Sequence, residues 1–497
     1  MVGENREVEL KFEIDPERAD ALIAHLSPGD GPGSRSLQSI YFDTLDQALR
    51  KGGFTLRVRK EARRWIQTLK SCAASSGARR GEWEAPVKGS APDPDLLRET
   101  PATAIVEGLA LKPTFTVSVE RWSVTSSQAS STVEVSVDKG KATQDGRSAA
   151  FSELELELKS GERATLFAFA GRLRRTFALR PSFTTKADRG FALMDKKGPP
   201  GRRFKAPDLG FEMTAGAAFQ AIALAALEQI ARNAEDLRER PGAEVIHQMR
   251  AGARRLQSTL STFKPIISDR RMEVVKTELA WLLSELAPAR DLDVFLSGAF
   301  ARASRANRDK DLAAWGKRLR MARKAAYARV LNAAESDRFS ALLFDILAWI
   351  EVGPWTEASG KAAALRDALI VEFAARALEK ALLRVRKRAR RFHHLSREAR
   401  HKLRIRTKTL RYAADVFDGL FTAHPKRARR FLGRIKDLLD CLGELNDIAT
   451  GAGLIADGPT PKCLTDQQTS REKQLIGLAG HALDAFGETG RFWPKQA

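Results

Sequence analysis

The hydrophobic period of this chain changes once, near residue 200. Up to about residue 195, short runs such as SLQSIYFDT and STVEVSVDKG alternate apolar and polar residues, separated by Gly, Ser, Pro or Asp. From about Phe211 onward, Ala, Leu, Arg and Glu recur at helical spacing, as in AAFQAIALAALEQIARNAEDLRER. The stretch between has Gly, Pro and basic residues but no apolar period, which predicts a linker over residues 196–210. We therefore predict two domains, residues 1–195 and 211–490.

The two periods predict two different folds. Many short alternating strands favour an antiparallel sheet that closes, or nearly closes, into a barrel, and interspersed helical patterns make this domain α+β. In the second half, Pro241 and Pro265 bracket a helix of about 20 residues, a length that suits a helical bundle. We therefore expect an N-terminal β-barrel followed by an all-α domain.

The balance of charge indicates the class of partner. The chain has 84 Lys and Arg against 62 Asp and Glu, and its formal charge of +22 predicts a polyanionic partner. Three scattered cysteines, Cys72, Cys441 and Cys463, are too few for a disulfide framework and indicate a reducing compartment. The charged N-terminus has no apolar signal core, and no apolar run reaches about 18 residues. The expectation is a cytoplasmic protein without membrane contact.

One face of nearly every predicted strand carries ionised side chains. In EVELKFEI, Glu7, Glu9 and Lys11 share one face, because side chains alternate along a strand, and the apolar residues share the other. A solvated surface would explain any single run of this kind. Recurrence on many strands instead favours a sheet whose charged faces line a tunnel. In such a tunnel Arg and Lys would bind phosphate, and carboxylates would bind Mg²⁺ or Mn²⁺.

These charged runs resemble the motifs of a known family. EVELK resembles the Glu-x-Glu-x-Lys signature of the CYTH superfamily, the triphosphate tunnel metalloenzymes, and LRVRK, QTLK, VERW, VEVSVDKG, SELELELKSG and TTKADRG follow in the family's order. The resemblance implies a set of phosphate-binding bases: Lys11, Arg57, Arg59, Lys70, Arg121, Lys186 and Arg189. It also implies metal-binding carboxylates: Glu7, Glu9, Glu155 and Glu157, with Glu153 as an alternative because ELELEL leaves the register open.

The same resemblance assigns catalytic roles. Asp138 is implied to help place the metal or a water, and the implied catalytic set is Glu7, Glu9, Lys11 and Asp138. Glu82 and Glu84 have no clear counterpart in the family and could be ordinary charges of the barrel.

The helical half contains an internal repeat. HQMRAGARRL, from His247, matches HKLRIRTKTLRY, from His401. Further along, ARDLDV matches ELNDIA, which aligns Asp291 with Asp447. A duplicated helical unit whose two copies face each other is therefore predicted. We expect the two aspartates to cap or pack helices, or else to orient the two histidines.

These repeated motifs resemble the CHAD domain, a helical module that often follows CYTH in bacterial chains. The resemblance implies two four-helix units related by an approximate twofold axis, and an association with inorganic polyphosphate. Each copy places one histidine and two bases on one helical face, so the two faces would form a basic groove. The residues expected to bind polyphosphate are His247, Arg250, Arg254, His401, Arg404 and Lys408, flanked by Arg255, Lys402 and Arg411.

Together these features predict a Mg²⁺- or Mn²⁺-dependent hydrolase of inorganic tripolyphosphate or a related short polyphosphate, with a helical domain that binds polyphosphate. Two alternatives remain open: a non-catalytic polyphosphate-binding protein, or a triphosphatase or cyclase acting on an organic triphosphate. Aromatic residues are only 7% of the chain, so no specific nucleic-acid partner is expected, although charge alone predicts non-specific RNA binding. Association with polyphosphate granules is a further expectation. Substrate length, metal preference and oligomeric state are not predicted.

Overall fold

The computed structural model describes residues 8–27, 33–71, 81–195, 201–306, 310–451 and 461–494. Glu7 and Cys72 therefore lie outside the described residues. The chain divides into two compact units. The sheet unit comprises residues 1–200 and 343–352, and the helical unit comprises residues 201–342 and 353–497. None of the described helices is both long enough and apolar enough to cross a membrane.

Among the described residues, nine strands and five α-helices lie wholly within the sheet unit, which also includes residues 343–352 of a later helix. The strands are β1 (Val8–Glu13), β2 (Arg35–Asp43), β3 (Phe54–Glu61), β4 (Arg64–Ser71), β5 (Glu82–Val87), β6 (Lys112–Gln128), β7 (Ser131–Gln144), β8 (Arg147–Ser160) and β9 (Arg180–Pro181). The helices are α1 (Pro16–Leu26), α2 (Ala48–Lys51), α3 (Thr103–Val106), α4 (Arg163–Phe177) and α5 (Lys186–Met194).

The strands form one continuous antiparallel sheet, in the order β5-β4-β3-β2-β6-β7-β8-β1-β9. Within the described residues, β5 and β9 pair with no further strand, so hydrogen bonds do not close the sheet. The edge strand β9 has only two residues, and one of them, Pro181, has no N–H to donate. The predicted class, an antiparallel sheet domain followed by an all-α domain, is confirmed.

The two faces of the sheet differ in chemistry, as the alternating pattern predicts. One face buries apolar side chains, including Phe12, Val135 and Leu154, beneath α1 and α4. The opposite face carries the ionised residues. At one end of this charged face α5 packs on an apolar cluster that includes Phe115 and Phe151. The charged side chains near α5 are largely shielded from water: the exposed fraction is 17% for Lys11, 15% for Lys186 and 14% for Arg189.

The remaining helices follow from residue 201 onward. They are α6 (Ala215–Glu239), α7 (Ala243–Ile267), α8 (Arg270–Phe295), α9 (Ala301–Ala306), α10 (Lys310–Glu335), α11 (Asp337–Val352), α12 (Gly360–Asp367), α13 (Ile370–Ala389), α14 (Arg397–Phe417), α15 (Pro425–Gly451) and α16 (Lys462–Gly487). A π-helical turn, Leu296–Phe300, joins α8 to α9.

The sequence repeat is visible in the contacts of the helical unit. In the first copy, α7 packs against α6 and α8, and α10 packs against α8. In the second copy, α14 packs against α13 and α15, and α16 packs against α15. The copies meet where α7 contacts α14 and where α8 contacts α15. This arrangement brings the two repeated motifs to one interface.

Residues 201–210, which fall in the predicted linker, pack on the helical unit. The Arg202 backbone N–H donates to Asn233 Oδ1 at 2.9 Å, and its Nε donates to Asp236 Oδ2 at 3.1 Å. The ring of Phe204 lies 3.9 Å from the guanidinium carbon of Arg255. This stretch therefore has fixed contacts even though it has no hydrophobic period.

Candidate functional site

Strand register aligns the charged residues of the sheet unit in rows. Arg121 on β6 lies opposite Asp138 on β7, which lies opposite Glu153 on β8, which lies opposite Glu13 on β1. In the next row, Glu155 lies opposite Lys11. Directly opposed residues have Cβ atoms about 5 Å apart, so long side chains in these rows can meet.

Glu155 is the centre of this charged cluster. Lys11 Nζ lies 3.0 Å from Glu155 Oε1, and Lys186 Nζ donates to the same oxygen at 2.9 Å. Arg121 Nη2 donates to Glu155 Oε2 at 2.6 Å. One carboxylate therefore holds three bases that come from β1, β6 and the first turn of α5.

Two fully buried carboxylates lie beside Glu155. Asp138 accepts a bidentate pair of hydrogen bonds from Arg121, at 2.7 and 2.6 Å, and lies 2.8 Å from Lys186 Nζ. Glu153 forms an ion pair with Lys186 and lies 4.0 Å from Lys11 Nζ. Asp138, Glu153 and Glu155 each present an oxygen within 4.8 Å of the others, and could together hold a metal ion. The Lys186 ammonium contacts all three of these carboxylates.

The mutual pairing determines the protonation of this cluster. Burial alone would lower the pKa of Lys186 and of Lys11, but Glu155 and Glu153 outweigh it and raise both pKa values. Arg121 is likewise buried, and Asp138 and Glu155 raise its pKa. Burial would raise the pKa of Glu155, yet Lys186, Lys11 and Arg121 hold it well below its ordinary value. All four groups therefore stay ionised at neutral pH.

A second acidic row lies further along the same strands. Glu9 on β1 lies opposite Glu157 on β8, which lies opposite Glu134 on β7. Lys159 Nζ lies 2.6 Å from Glu157 and 3.2 Å from Glu134. Glu9 is exposed, and Glu7, the other predicted ligand on this side, lies outside the described residues. Glu134 was not among the predicted site residues, although it lies four residues before Asp138 and therefore on the same face of β7.

The other predicted bases lie on β3 and β4, and each has its own acid. Lys70 Nζ lies 2.7 Å from Glu82 Oε1, and Arg57 Nη2 lies 4.0 Å from Glu84 Oε1. Arg59 pairs with Glu61. Burial, together with the charge of Arg57, lowers the pKa of Arg59. The family motifs predicted no role for Glu82 and Glu84. In the structure, Glu82 is the counter-ion of Lys70 and Glu84 is that of Arg57.

Helix α5 supplies the two predicted bases that do not lie on strands. A capping box between Thr185 and Asp188 fixes its first turn, from which Lys186 extends. Arg189 Nη2 lies 3.7 Å from Glu153 and 3.8 Å from Glu13. Glu13 was missed, although it continues the alternation of Glu7, Glu9 and Lys11.

The helical unit brings most of its predicted residues into one basic cluster. Arg250 and Arg254 on α7 interact electrostatically with Arg404 and Lys408 on α14. Burial and then Arg404, Arg254 and Arg250 lower the pKa of Lys408 to about 7. Burial also lowers the pKa values of Arg250, Arg254 and Arg404. Burial and Arg290 lower the pKa of His247.

The aspartates of the repeat face this basic cluster. Burial raises the pKa of Asp291, as does the nearby Asp447, while Arg250 opposes the change. His401 is exposed, and its Nδ1 lies 2.6 Å from Asn446 Oδ1. The residue that contacts His401 is therefore Asn446, the position where the two copies differ.

The flanking residues of the cluster have separate surroundings. The Arg255 guanidinium carbon lies 3.9 Å from the Phe204 ring and 4.6 Å from the Tyr412 ring. Arg411 Nε donates to Asp415 at 2.7 Å, and its Nη1 donates to the carbonyl of Leu432 at 2.9 Å. Lys402 is exposed. Phe204 and Tyr412 were missed, because no spacing rule connects them to Arg255.

Comparison with known proteins agrees with both resemblances. The family model of the CYTH domain matches residues 5–191, and that of the CHAD domain matches residues 221–456. A protein of Haemophilus influenzae named inorganic triphosphatase is 30% identical over 207 residues. The match covers 39% of this chain and 56% of that relative, so the chain spans little more than half of the relative's length.

Solved structures are similar to each half. The CHAD domain of the plant Ricinus communis is 27% identical to this chain. The match covers 57% of this chain and 90% of that domain, with a TM-score of 0.45. A Hippeastrum protein, described as a putative adenylyl cyclase with a dominant triphosphatase activity, is 15% identical to this chain. The match covers 39% of this chain and 97% of that protein, with a TM-score of 0.29. On its family matches, the chain has a CYTH domain over residues 5–191 followed by a CHAD domain over residues 221–456.

Proposed function

We propose that the sheet unit hydrolyses inorganic tripolyphosphate, or a related short polyphosphate, in a metal-dependent reaction. The observation that carries this proposal is the interleaving of acids and bases around Glu155, where three bases contact one carboxylate that is only 14% exposed. A protein that only bound anions would gain nothing from carboxylates aimed at the same place. The similarity to an inorganic triphosphatase supports the same reaction class.

In this proposal the bases bind the phosphate chain. On one side, the phosphate chain would be bound by Lys11, Arg121 and Lys186. On the other side, it would be bound by the bases of β3 and β4, which are Arg57, Arg59 and Lys70. The raised pKa values of Lys11, Arg121 and Lys186 keep them charged, so they act as hydrogen-bond donors and not as proton sources. Asp138 would orient Arg121 and Lys186, which is a different role from placing the metal.

The carboxylates fit a hard divalent ion. Glu9 and Glu157 lie opposite each other on adjacent strands, and Lys159 already places a cation against Glu157. We propose that Glu9 and Glu157 hold Mg²⁺ or Mn²⁺, with Glu7 and Glu155 as further ligands from the predicted set. When bound, the ion would offset charge on the phosphate oxygens. The place between Asp138, Glu153 and Glu155 offers suitable oxygens, but the Lys186 ammonium fills it.

The proposed reaction needs no covalent intermediate. Water would attack the terminal phosphorus in line, forming one P–O bond as the bond to the bridging oxygen breaks. The water's proton would pass to solvent or to the phosphate product. The bases would stabilise charge on the departing diphosphate, because charge-assisted donors gain strength where water is excluded.

For the helical unit we propose polyphosphate binding at the basic cluster formed by His247, Arg250, Arg254, Arg404 and Lys408. Like charges there lower one another's pKa values, so a bound polyanion would relieve their repulsion. Cytoplasmic location and association with polyphosphate granules belong to the same proposal. Competition by polyphosphate against RNA at fixed salt would separate specific from merely electrostatic binding.

Phosphate release tests the enzymatic proposal. The protein would be incubated with tripolyphosphate, ATP, thiamine triphosphate or long polyphosphate, each with Mg²⁺ or Mn²⁺. We expect tripolyphosphate to be the best substrate, and no release without metal. Hydrolysis of none of these compounds, with polyphosphate still bound, would favour a binding protein, and preference for ATP or thiamine triphosphate would favour an organic substrate.

A matched pair of variants tests the metal ligands. We expect E9Q to reduce release at least about 100-fold with little change in thermal stability, because amide oxygens bind Mg²⁺ poorly. E107Q changes an exposed glutamate at the end of α3 and should behave as wild type. Unchanged turnover in E9Q would refute the assignment.

A further inference from the structure

Arg50, on the short helix α2, contacts α5 through two kinds of interaction. Its Nη1 and Nη2 donate to the two carboxylate oxygens of Asp195, at 3.0 and 2.8 Å, and Asp195 directly follows α5. Its guanidinium carbon lies 4.5 Å from the centre of the Phe191 ring. Paired donors on one carboxylate fix direction as well as distance, so Arg50 constrains the end of α5.

Arg50 is itself held by its surroundings. Asp43, fully buried at the end of β2, accepts the backbone N–H groups of Leu49 and Arg50 at 2.9 and 3.0 Å. Gln47 Oε1 accepts a further hydrogen bond from Arg50 Nη1 at 2.9 Å. The guanidinium is therefore positioned by the sheet, and it can pass that position on to α5.

Helix α5 has little freedom to adjust between its two ends. The capping box of Thr185 and Asp188 fixes its first turn. In its middle, a Cβ atom at Gly190 would overlap the ring of Phe115, so the helix lies directly on the apolar cluster. A shift at the Asp195 end would therefore tilt the whole helix, and with it the bases Lys186 and Arg189.

We propose that Arg50 is a positioning residue for triphosphate binding, because its pair with Asp195 holds α5 where Lys186 and Arg189 reach the charged cluster. This inference rests on the proposed function for its substrate, but among the described residues Arg50 has no hydrogen bond or ion pair with any residue proposed to bind phosphate or metal. Its effect would be indirect, through the placement of α5.

Steady-state kinetics of the 497-residue chain test this role. In R50M we expect the KM for tripolyphosphate to rise about tenfold with kcat changed less than about threefold, because small displacements of binding groups weaken substrate contacts. R50K, whose single ammonium cannot form the paired hydrogen bonds, should lie between R50M and wild type. The control R98M removes an exposed arginine that pairs with Asp95, and its KM should stay at the wild-type value. A KM in R50M equal to that of wild type would overturn the proposal.

Hydrogen exchange gives a readout that needs no substrate. Amide exchange of residues 186–194 should be faster in R50M and in D195N than in wild type or R98M, while exchange in β7 and β8 stays slow. Unchanged protection of α5 in a folded R50M or D195N protein would overturn the proposal whatever the substrate is. Absence of hydrolysis in wild type, with the exchange result as expected, would instead count against the proposed function alone.

A double-mutant cycle shows whether Arg50 acts through α5. If Lys186 is the residue that Arg50 positions, R50M should raise KM much less in a K186M background than in wild type. Full additivity of the two changes would mean that Arg50 affects binding by another route, and would contradict the inference.

Discussion

In the charged cluster of the sheet unit, the bases around Glu155 each lie beside a carboxylate, whereas in the basic cluster of the helical unit Arg254, Arg404 and Lys408 lie beside one another. Lys186 contacts Asp138, Glu153 and Glu155, and its pKa is raised. Lys408 lies among arginines, and its pKa is lowered to about 7. Both lysines are removed from water, so the sign of the neighbouring charge decides which way the pKa moves.

The difference indicates two ways of binding an anion. The cluster around Glu155 is neutralised from within, so its geometry is fixed before any ligand arrives. The basic cluster of the helical unit has an excess of positive charge, and an external polyanion would stabilise it. We therefore expect substitutions in the first cluster to disturb structure and turnover together, and substitutions in the second to affect mainly binding.

The largest effect is expected for E155Q. Losing this carboxylate leaves Lys11, Arg121 and Lys186 without their shared partner, and such losses cost about 3 kcal/mol of stability in buried pairs. We expect kcat/KM for tripolyphosphate to fall about 100- to 1,000-fold, as for loss of a central electrostatic group. Phosphate release and thermal denaturation would measure both effects, with E107Q as the control. A stable, fully active E155Q would show that the cluster is not organised around Glu155.

A smaller effect is expected for R404M, which should weaken polyphosphate binding without lowering thermal stability. Removing one cation from the basic cluster should weaken polyphosphate binding about tenfold, while relief of repulsion keeps the melting temperature at or above that of wild type. R406M, an exposed arginine on the other side of α14, should bind within about twofold of wild type. Titration calorimetry would measure the affinities. Equal loss in both variants would mean that net charge, and not the cluster, binds the polyanion.

The smallest effect is a pH dependence that resides in Lys408. Because its pKa is about 7, it gains a proton as pH falls from 8.5 to 6, and a polyanion binds the charged form better. We expect affinity for long-chain polyphosphate to rise a few-fold, about threefold to tenfold, over this range, and K408M to lose most of the rise. K324M, an exposed lysine on α10, should keep it. The same slope in K408M would assign the effect to another group, such as His247.

Folding stability gives the same group a second test. The unfolded chain protonates Lys408 near its ordinary value of 10.5, and the folded chain only near 7. Between these values the unfolded state binds more protons, so this residue makes stability rise as pH increases from 7 to 10.5. K408M should flatten that part of the stability profile, as measured by denaturant unfolding.

Much of the charged cluster in the sheet unit could be predicted from the sequence. Alternation predicts that Lys11, Arg121 and Glu155 each lie on the charged face of their own strand, and the recurrence of such faces, with the CYTH resemblance, predicts one common surface. The repeat likewise predicted that Arg250 and Arg404 would face one another. These predictions depend only on local geometry and on duplication, and both can be read along the chain.

Partnership between distant residues could not be predicted in this way. Strand register decides that Glu153 lies opposite Asp138, and that Glu157 lies opposite Glu9 and Glu134. Loop and helix placement decide that Phe204 packs on Arg255 and that Arg50 pairs with Asp195. No period in the sequence encodes such contacts, because they join segments whose separation along the chain is arbitrary.

The sequence by itself determined the change from strands to helices, the charged face of each strand and the duplicated basic helix. Tertiary structure alone decided which carboxylate each base contacts, and so whether a buried lysine keeps its proton. The physical reason is the distance along the chain over which each property is determined. Side-chain direction is set within a few residues, whereas the pKa of a buried group depends on charges a few ångströms away in space that come from anywhere in the chain.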